Sequence, residues 1–134
     1  MPDMFIRFIT EFRNEFDEIK TGIFPAAAYL CRSHIVYDYD KKHLIEIRDW
    51  FDVKLEAPDR FSKSKRKNAA KVSLSWFKSS ALAHLKKMYE MAGIIEKYDI
   101  FITVIKIENP GYIIYEDEFQ VSTLPHKKDK NLVK

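Results

Sequence analysis

The strongest constraint in this chain is a helical stripe: Leu82, Leu85, Met88, Tyr89, Ala92 and Ile95 recur three or four residues apart. That spacing lines them along one face of an α-helix, which must then bury itself against another layer. Residues 100–107 follow, reading IFITVIKI. They are apolar and β-branched nearly throughout, as expected of a central strand covered on both faces. A buried helix feeding such a strand calls for a layered fold with both element types.

The flanking segments extend this pattern. Met4, Ile6, Phe8 and Phe12 alternate with Phe5 and Ile9, an opening strand of roughly seven to nine residues. After a polar stretch to Lys20, the residues Ile23, Phe24, Ala27, Leu30 and Cys31 form a helical stripe. Pro25 fits only the first turn of that helix, where its missing amide hydrogen is not needed, so the helix starts close to Ile23. Asp40 suits the N-cap of a second helix carrying Leu44, Ile47, Phe51 and Leu55, and Pro58 ends it. Residues 60–68 read as an exposed loop, and Val72, Leu74 and Trp76 as a short half-buried strand. Ser79 or Ser80 is placed to cap the third helix.

Asn109-Pro110-Gly111 carries the chemistry of a type II turn and reads as the loop of a hairpin leading into Tyr112–Tyr115. Phe119, Val121 and Thr123 alternate as a last strand, and Pro125 opens a lysine-rich tail. The expected fold is therefore α+β: a single compact domain over residues 1–125, with about three helices on a mixed, mostly antiparallel sheet, in the order β-α-α-β-α-β-β-β. The tail, 126–134, is expected to be a flexible extension.

Hydrophobic residues make up 46% of the 134, aromatic residues 14%, and there are only three Gly and five Pro, which argues against disorder and low-complexity repeats. The lone cysteine, Cys31, excludes an internal disulfide. Asp3, Arg7 and Glu11 interrupt the first segment in a way that suits no secretory signal, and no apolar run approaches the ~20 residues that cross a bilayer. The expected setting is the cytoplasm, with no membrane association.

Charge is where the chain departs from an ordinary domain. The net +3 conceals a run from 60 to 89 with nine basic residues and no acidic one: Arg60, Lys63, Lys65, Arg66, Lys67, Lys71, Lys78, Lys86 and Lys87. Residues 1–59 are net −4 and residues 90–125 net −5. Clustered Lys and Arg bind polyanions by releasing counterions, and Phe61, Trp76 and Phe77 lie nearby as single-strand binders require. The same run also reads as a solvated connection, with Trp76 in the core. At the other extreme stand Tyr112, Tyr115, Glu116, Asp117 and Glu118, a candidate protein interface because a tyrosine supplies both apolar area and a hydrogen bond. Three successive carboxylates also raise a cation site or a general base, without the spacing that either usually shows.

His34, His43, His84 and His126 form no metal-ligand pattern. His34 falls three residues after Cys31, a close pair if one helix carries both, yet a Cys on an Ala-rich apolar stripe is usually packing. Gly22, Gly93 and Gly111 are too scattered for a phosphate loop. No cofactor, metal or catalytic residue is expected.

The stretches Lys20-Thr21-Gly22-Ile23-Phe24, Ser75-Trp76-Phe77-Lys78-Ser79-Ser80-Ala81 and Pro110-Gly111-Tyr112 through Gln120-Val121 resemble motifs of a widespread group of small, uncharacterised bacterial proteins. The resemblance covers most of the chain and implies a compact bacterial domain without implying an activity. The functional expectation is a small non-enzymatic protein, an accessory subunit or inhibitor, that docks a protein partner or a second copy through oppositely charged faces. Nucleic-acid binding through residues 60–87 is the alternative, and an enzyme with a cleft near Tyr112–Glu118 the third reading.

Overall fold

The structure, a computed structural model, describes residues 4–56 and 73–125. Its elements are β1 (Phe5–Ile9), β2 (Glu11–Arg13), β3 (Ile19–Thr21), α1 (Ile23–Arg32), α2 (Asp38–Lys54), β4 (Leu74–Lys78), α3 (Leu82–Glu96), β5 (Thr103–Ile107), β6 (Tyr112–Glu116) and β7 (Gln120–Leu124). The class is α+β, and the order of the main elements is the expected one. The expectations for Pro58, for the loop at 60–68, for Val72 and for the tail lie outside the described residues.

These elements gather into two compact units, and the chain passes between them within β1, after α2, within α3 and at the start of β5. Neither unit is therefore a continuous stretch of sequence. The first holds residues 4–7, 56, 73–85 and 104–125; the second holds 8–55 and 86–103.

The first unit is built on a five-stranded sheet in the order β5-β1-β4-β7-β6. β4 pairs antiparallel with both β1 and β7, and β7 with β6. Alternation along β4 sends Leu74 and Trp76 to one face, where they form a buried cluster with Val121 that Phe5, Ile105, Ile107 and Ile113 flank. Trp76 is 1% exposed, and its indole hydrogen bonds to Thr123 Oγ1 at 3.2 Å. Thr123 in turn donates to the carbonyl of Pro110 at 2.8 Å, so a buried polar atom on each of two strands is satisfied and the turn before β6 is tied down. In the first turn of α3, the His84 ring packs against Phe119 at 4.2 Å and Phe77 at 6.3 Å.

The run 100–107 departs from expectation. Only Thr103–Ile107 is a strand, and it sits at one edge of the sheet with Val104, Ile105 and Ile107 half-buried and Thr103 and Lys106 exposed. β6 is the opposite edge, so Asn109-Pro110-Gly111 closes no hairpin. β-branched residues suit a half-buried pleat as well as a central strand, and a local turn signal does not say which strands it brings together. The β6 edge carries an irregular register between Ile113 and Tyr115, which makes it a poor template for another strand.

In the second unit, Gly22 starts α1 with φ +106, and the next turn admits Pro25 because Ala26 N makes the first bond back to Gly22 O. Ile23, Ala26, Ala27 and Leu30 of α1 pack against the stripe Leu44, Ile47 and Phe51 of α2. Along α3, Leu85, Met88, Ala92 and Ile95 are buried as expected, joined by Met91 and Ile94, whereas Leu82 and Tyr89 are exposed. The polar stretch before α1 forms a small antiparallel pair, β2 with β3, around a turn organised by Asn14. The Asn14 side-chain carbonyl accepts from Phe16 N and Glu18 N at 2.9 and 3.0 Å, which is how a polar sequence without strand alternation still turns.

Gly111 has φ +111, and a Cβ there would sit 2.2 Å from the carbonyl oxygen of Leu124. Gly111→Ala is expected to lower unfolding free energy by roughly 3 kcal/mol in urea titration, through a strained backbone and a displaced β7 end.

Candidate interaction surface

Of the basic residues singled out above, Arg60, Lys63, Lys65, Arg66, Lys67 and Lys71 lie outside the described residues. Lys78 ends β4 with its ammonium 2.6 Å from Glu116, so one member of the basic set is bound to one member of the acidic set. Lys87, on α3, is 3.8 Å from Glu90 and lies over the Trp50 ring at 5.9 Å. Lys86, beside it, is exposed. Trp76 is buried and so presents no face on which a base could stack, and Phe77 is half-buried beside His84.

Tyr112, Tyr115 and Glu116 belong to β6, and Asp117 and Glu118 to the turn into β7. Asp117 is the organiser of that turn. One carboxylate oxygen accepts from Phe119 N and Gln120 N at 2.8 and 3.0 Å, the other from Tyr115 Oη and Gln120 Nε2 at 2.9 and 3.0 Å. Burial works against its charge, but these four donors win and hold its pKa below the usual carboxylate range. Gln120 Nε2 also reaches the carbonyl of Glu56 at 2.6 Å. A carboxylate committed to four donors and a neighbour paired with Lys78 leave this segment without a poised base. Its strand ends at Glu116, so Glu116 and Glu118 do not share a strand face.

The second unit contains a network that no sequence motif announced. α2 begins three residues earlier than expected, at Asp38 with Tyr37 rather than Asp40 in the capping position, because Asp40 N and Lys41 N both bond to Tyr37 O. Asp40 therefore enters the first turn, where negative charge is favoured, and its side chain is free for tertiary contacts. It is 2% exposed. Tyr98 Oη donates to Asp40 Oδ2, Lys97 Nζ stands 3.3 Å from Oδ1, and Tyr98 Oη accepts from Tyr37 N at 3.2 Å. The Tyr98 hydroxyl, foremost, and Lys97 depress the Asp40 pKa against its burial. Burial, then the bond to Asp40, raises that of Tyr98.

The segments that carry this network also expose large apolar side chains. Ile35 is 78% exposed, Tyr37 and Tyr39 64% each, and Phe101 76%. The Tyr37 and Tyr39 rings stack at 5.4 Å and 12°, with Lys97 Nζ 5.7 Å from the Tyr39 centroid. A cavity of about 230 Å³ opens beside Tyr98, lined by the apolar Phe12, Leu30, Ile35 and Ile100 and by the charged Glu11, Arg13 and Asp99. Asp99 takes φ +63 as it terminates α3, a conformation aspartate tolerates better than most side chains. Asp38 and Asp99 form no ion pair among the described residues.

Stacked tyrosines, isolated aliphatics and a rimmed cavity are what a protein partner grips. Sequence reasoning passed over these residues. Its available signals were the alternation Tyr37-Asp38-Tyr39-Asp40 and two large apolar side chains, Ile35 and Phe101, next to helix ends rather than within a stripe.

Cys31 lines a small apolar cleft between α1 and α2 with Phe24, Ala28, Leu44 and Ile45. Burial raises its pKa despite Arg48, Lys41 and Arg32, so it stays a thiol. His34 lies beyond the end of α1, so no single helix carries the Cys31 and His34 pair. Among the described residues no group of three or more His, Cys, Asp or Glu is arranged to hold a metal ion, and no helix is long and apolar enough to cross a membrane. Comparisons with protein-family models, with curated proteins and with solved structures produced no match.

The network has a pH signature. Asp40 and Asp117 have folded pKa values below the usual ~3.9, so their contribution is complete above that value and is lost as pH falls through the folded ones. Tyr98 has a raised value, so its contribution is complete below ~10 and is lost as pH rises through the folded one. Tyr98→Phe should cost about 1–3 kcal/mol at neutral pH. Urea unfolding across pH should also show the alkaline loss removed and the acid loss reduced, with the Asp117 share of the acid loss left in place.

Proposed function

We propose that this chain is a non-enzymatic interaction protein whose docking surface is the aromatic patch formed by Ile35, Tyr37, Tyr39 and Phe101. The single observation that carries the reading is that the stacked, exposed rings of Tyr37 and Tyr39 adjoin the Asp40, Tyr98 and Lys97 network, while exposed Ile35 and the Ile100 next to exposed Phe101 line a cavity that Tyr98 also borders. Rings held in place before a partner arrives lose little entropy on binding, which makes them efficient anchors. The polarised charge of the chain adds steering toward an oppositely charged partner.

This reading gives no contact to three described members of the two charged segments. Lys78 and Glu116 satisfy each other, Asp117 is consumed by its turn, and Lys87 is partly covered. An accessory or inhibitory role suits a surface of exposed aromatic side chains, which supply both apolar area and hydrogen bonds to a partner.

A photo-crosslinking amino acid replacing Ile35 is expected to capture protein in the native cell, and nuclease treatment should leave that capture unchanged. Tyr37→Ser combined with Tyr39→Ser should reduce capture at least ~tenfold while folding persists. Capture of nucleic acid alone, or of nothing, would overturn the proposal.

A further inference from the structure

We infer that the cavity of the second unit binds a small organic cation, a primary ammonium carried on a compact apolar body of about one ring. Every residue that lines this cavity belongs to that unit, within 8–55 and 86–103. Binding there goes beyond partner docking at the tyrosines and does not require it. Two helices end at the cavity. Tyr29 and Leu30 lie in the last turn of α1 and Ser33 is its C-cap. Tyr98 and Asp99 lie in the turn that closes α3, where their backbone nitrogens bond back to the carbonyls of Ile95 and Glu96. Backbone dipoles leave partial negative charge at the C-terminal end of a helix, so two such ends favour a cation between them. Formal charge acts in the same direction. Asp99 lines the cavity and makes no ion pair among the described residues. The basic groups on this side are already matched: Arg13, in the lining, is 3.3 Å from Asp17, and Arg32 is 3.1 Å from Glu15. With Glu11 also in the lining, four acids (Glu11, Glu15, Asp17 and Asp99) stand against two bases (Arg13 and Arg32), a net charge of −2. Lys41 and Lys42, on α2, do not line the cavity.

The rest of the lining suits an apolar body. Phe12, Leu30 and Ile100 are buried, and the exposed Ile35 side chain gains cover from a ligand. Tyr29 is half-buried with its ring 5.5 Å from that of Phe12, and aromatic faces attract cations as well as other rings. The volume is about 230 Å³, whereas a cavity of roughly 150 Å³ already accommodates benzene, so one ring and a short aminoalkyl arm fit. A bare inorganic cation would leave the apolar lining uncovered. An anion would face two helix ends and a carboxylate of its own sign.

Titration of the full chain with phenethylammonium, followed by backbone amide NMR shifts, tests this directly. Saturable shifts at 11–13, 29–35 and 98–100 are expected, with a dissociation constant of about 1 mM or tighter. Phenethyl alcohol, of the same shape without the charge, should bind about threefold more weakly or worse, and the anion hydrocinnamate more weakly still. Asp99→Asn should also weaken phenethylammonium about threefold or more; asparagine keeps the positive φ at 99 accessible, so folding is preserved. Tyr37→Ser with Tyr39→Ser, which alters no lining residue, should leave the affinity unchanged. Shifts that do not saturate or that fall outside these segments, equal binding of the alcohol or the anion, an affinity indifferent to Asp99→Asn, or binding lost with the two tyrosines overturns the inference.

Discussion

The account depends on one buried charge. Asp40 is 2% exposed, and an isolated carboxylate at that depth would be expelled or protonated. It is kept ionised because the Tyr98 hydroxyl and the Lys97 ammonium meet it from the C-terminal end of α3. The same hydroxyl accepts the backbone hydrogen of Tyr37, so one carboxylate locks the start of α2 to the end of α3 and fixes the two exposed tyrosines beside it. A surface loop joining two helices would ordinarily be mobile. Here Tyr37 and Asp40 are both tied to Tyr98, so the two residues between them, Asp38 and Tyr39, are anchored at both ends at the start of α2.

The first unit solves a comparable problem with neutral groups. Trp76, Thr123 and the carbonyl of Pro110 form a relay through the buried face of the sheet, and Asp117 gathers four donors in the turn between β6 and β7. Each leaves a polar atom satisfied that strand pairing alone would strand in the interior. The consequence is that the acidic segment with the most conspicuous sequence is structural, and its ion pair with Lys78 joins β4 to β6 across β7. Here conspicuous charge marks a brace.

The sequence made the fold class legible because it rests on short-range periodicity. The helical stripes at 44–51 and 85–95 and the alternation at 74–76 are each local, and each matches the structure. What sequence could not show was adjacency. Nothing in IFITVIKI says that β5 is an edge and that β6 lies at the far side of the sheet, since β-branched residues serve both positions. The β2 and β3 pair escaped because it is organised by one asparagine rather than by alternation. The candidate surface was illegible for a related reason: the chain that carries Tyr37 and Tyr39 meets the end of α3 only once Asp40 has found Tyr98, 58 residues later.

The most direct measurement is amide hydrogen exchange of the full chain compared with Tyr98→Phe. Exchange at Tyr37, Asp40 and Lys41 that quickens in the variant, while 74–78 and 120–124 keep their protection, is the predicted result. Protection at 37–41 that the substitution leaves unchanged would contradict the account.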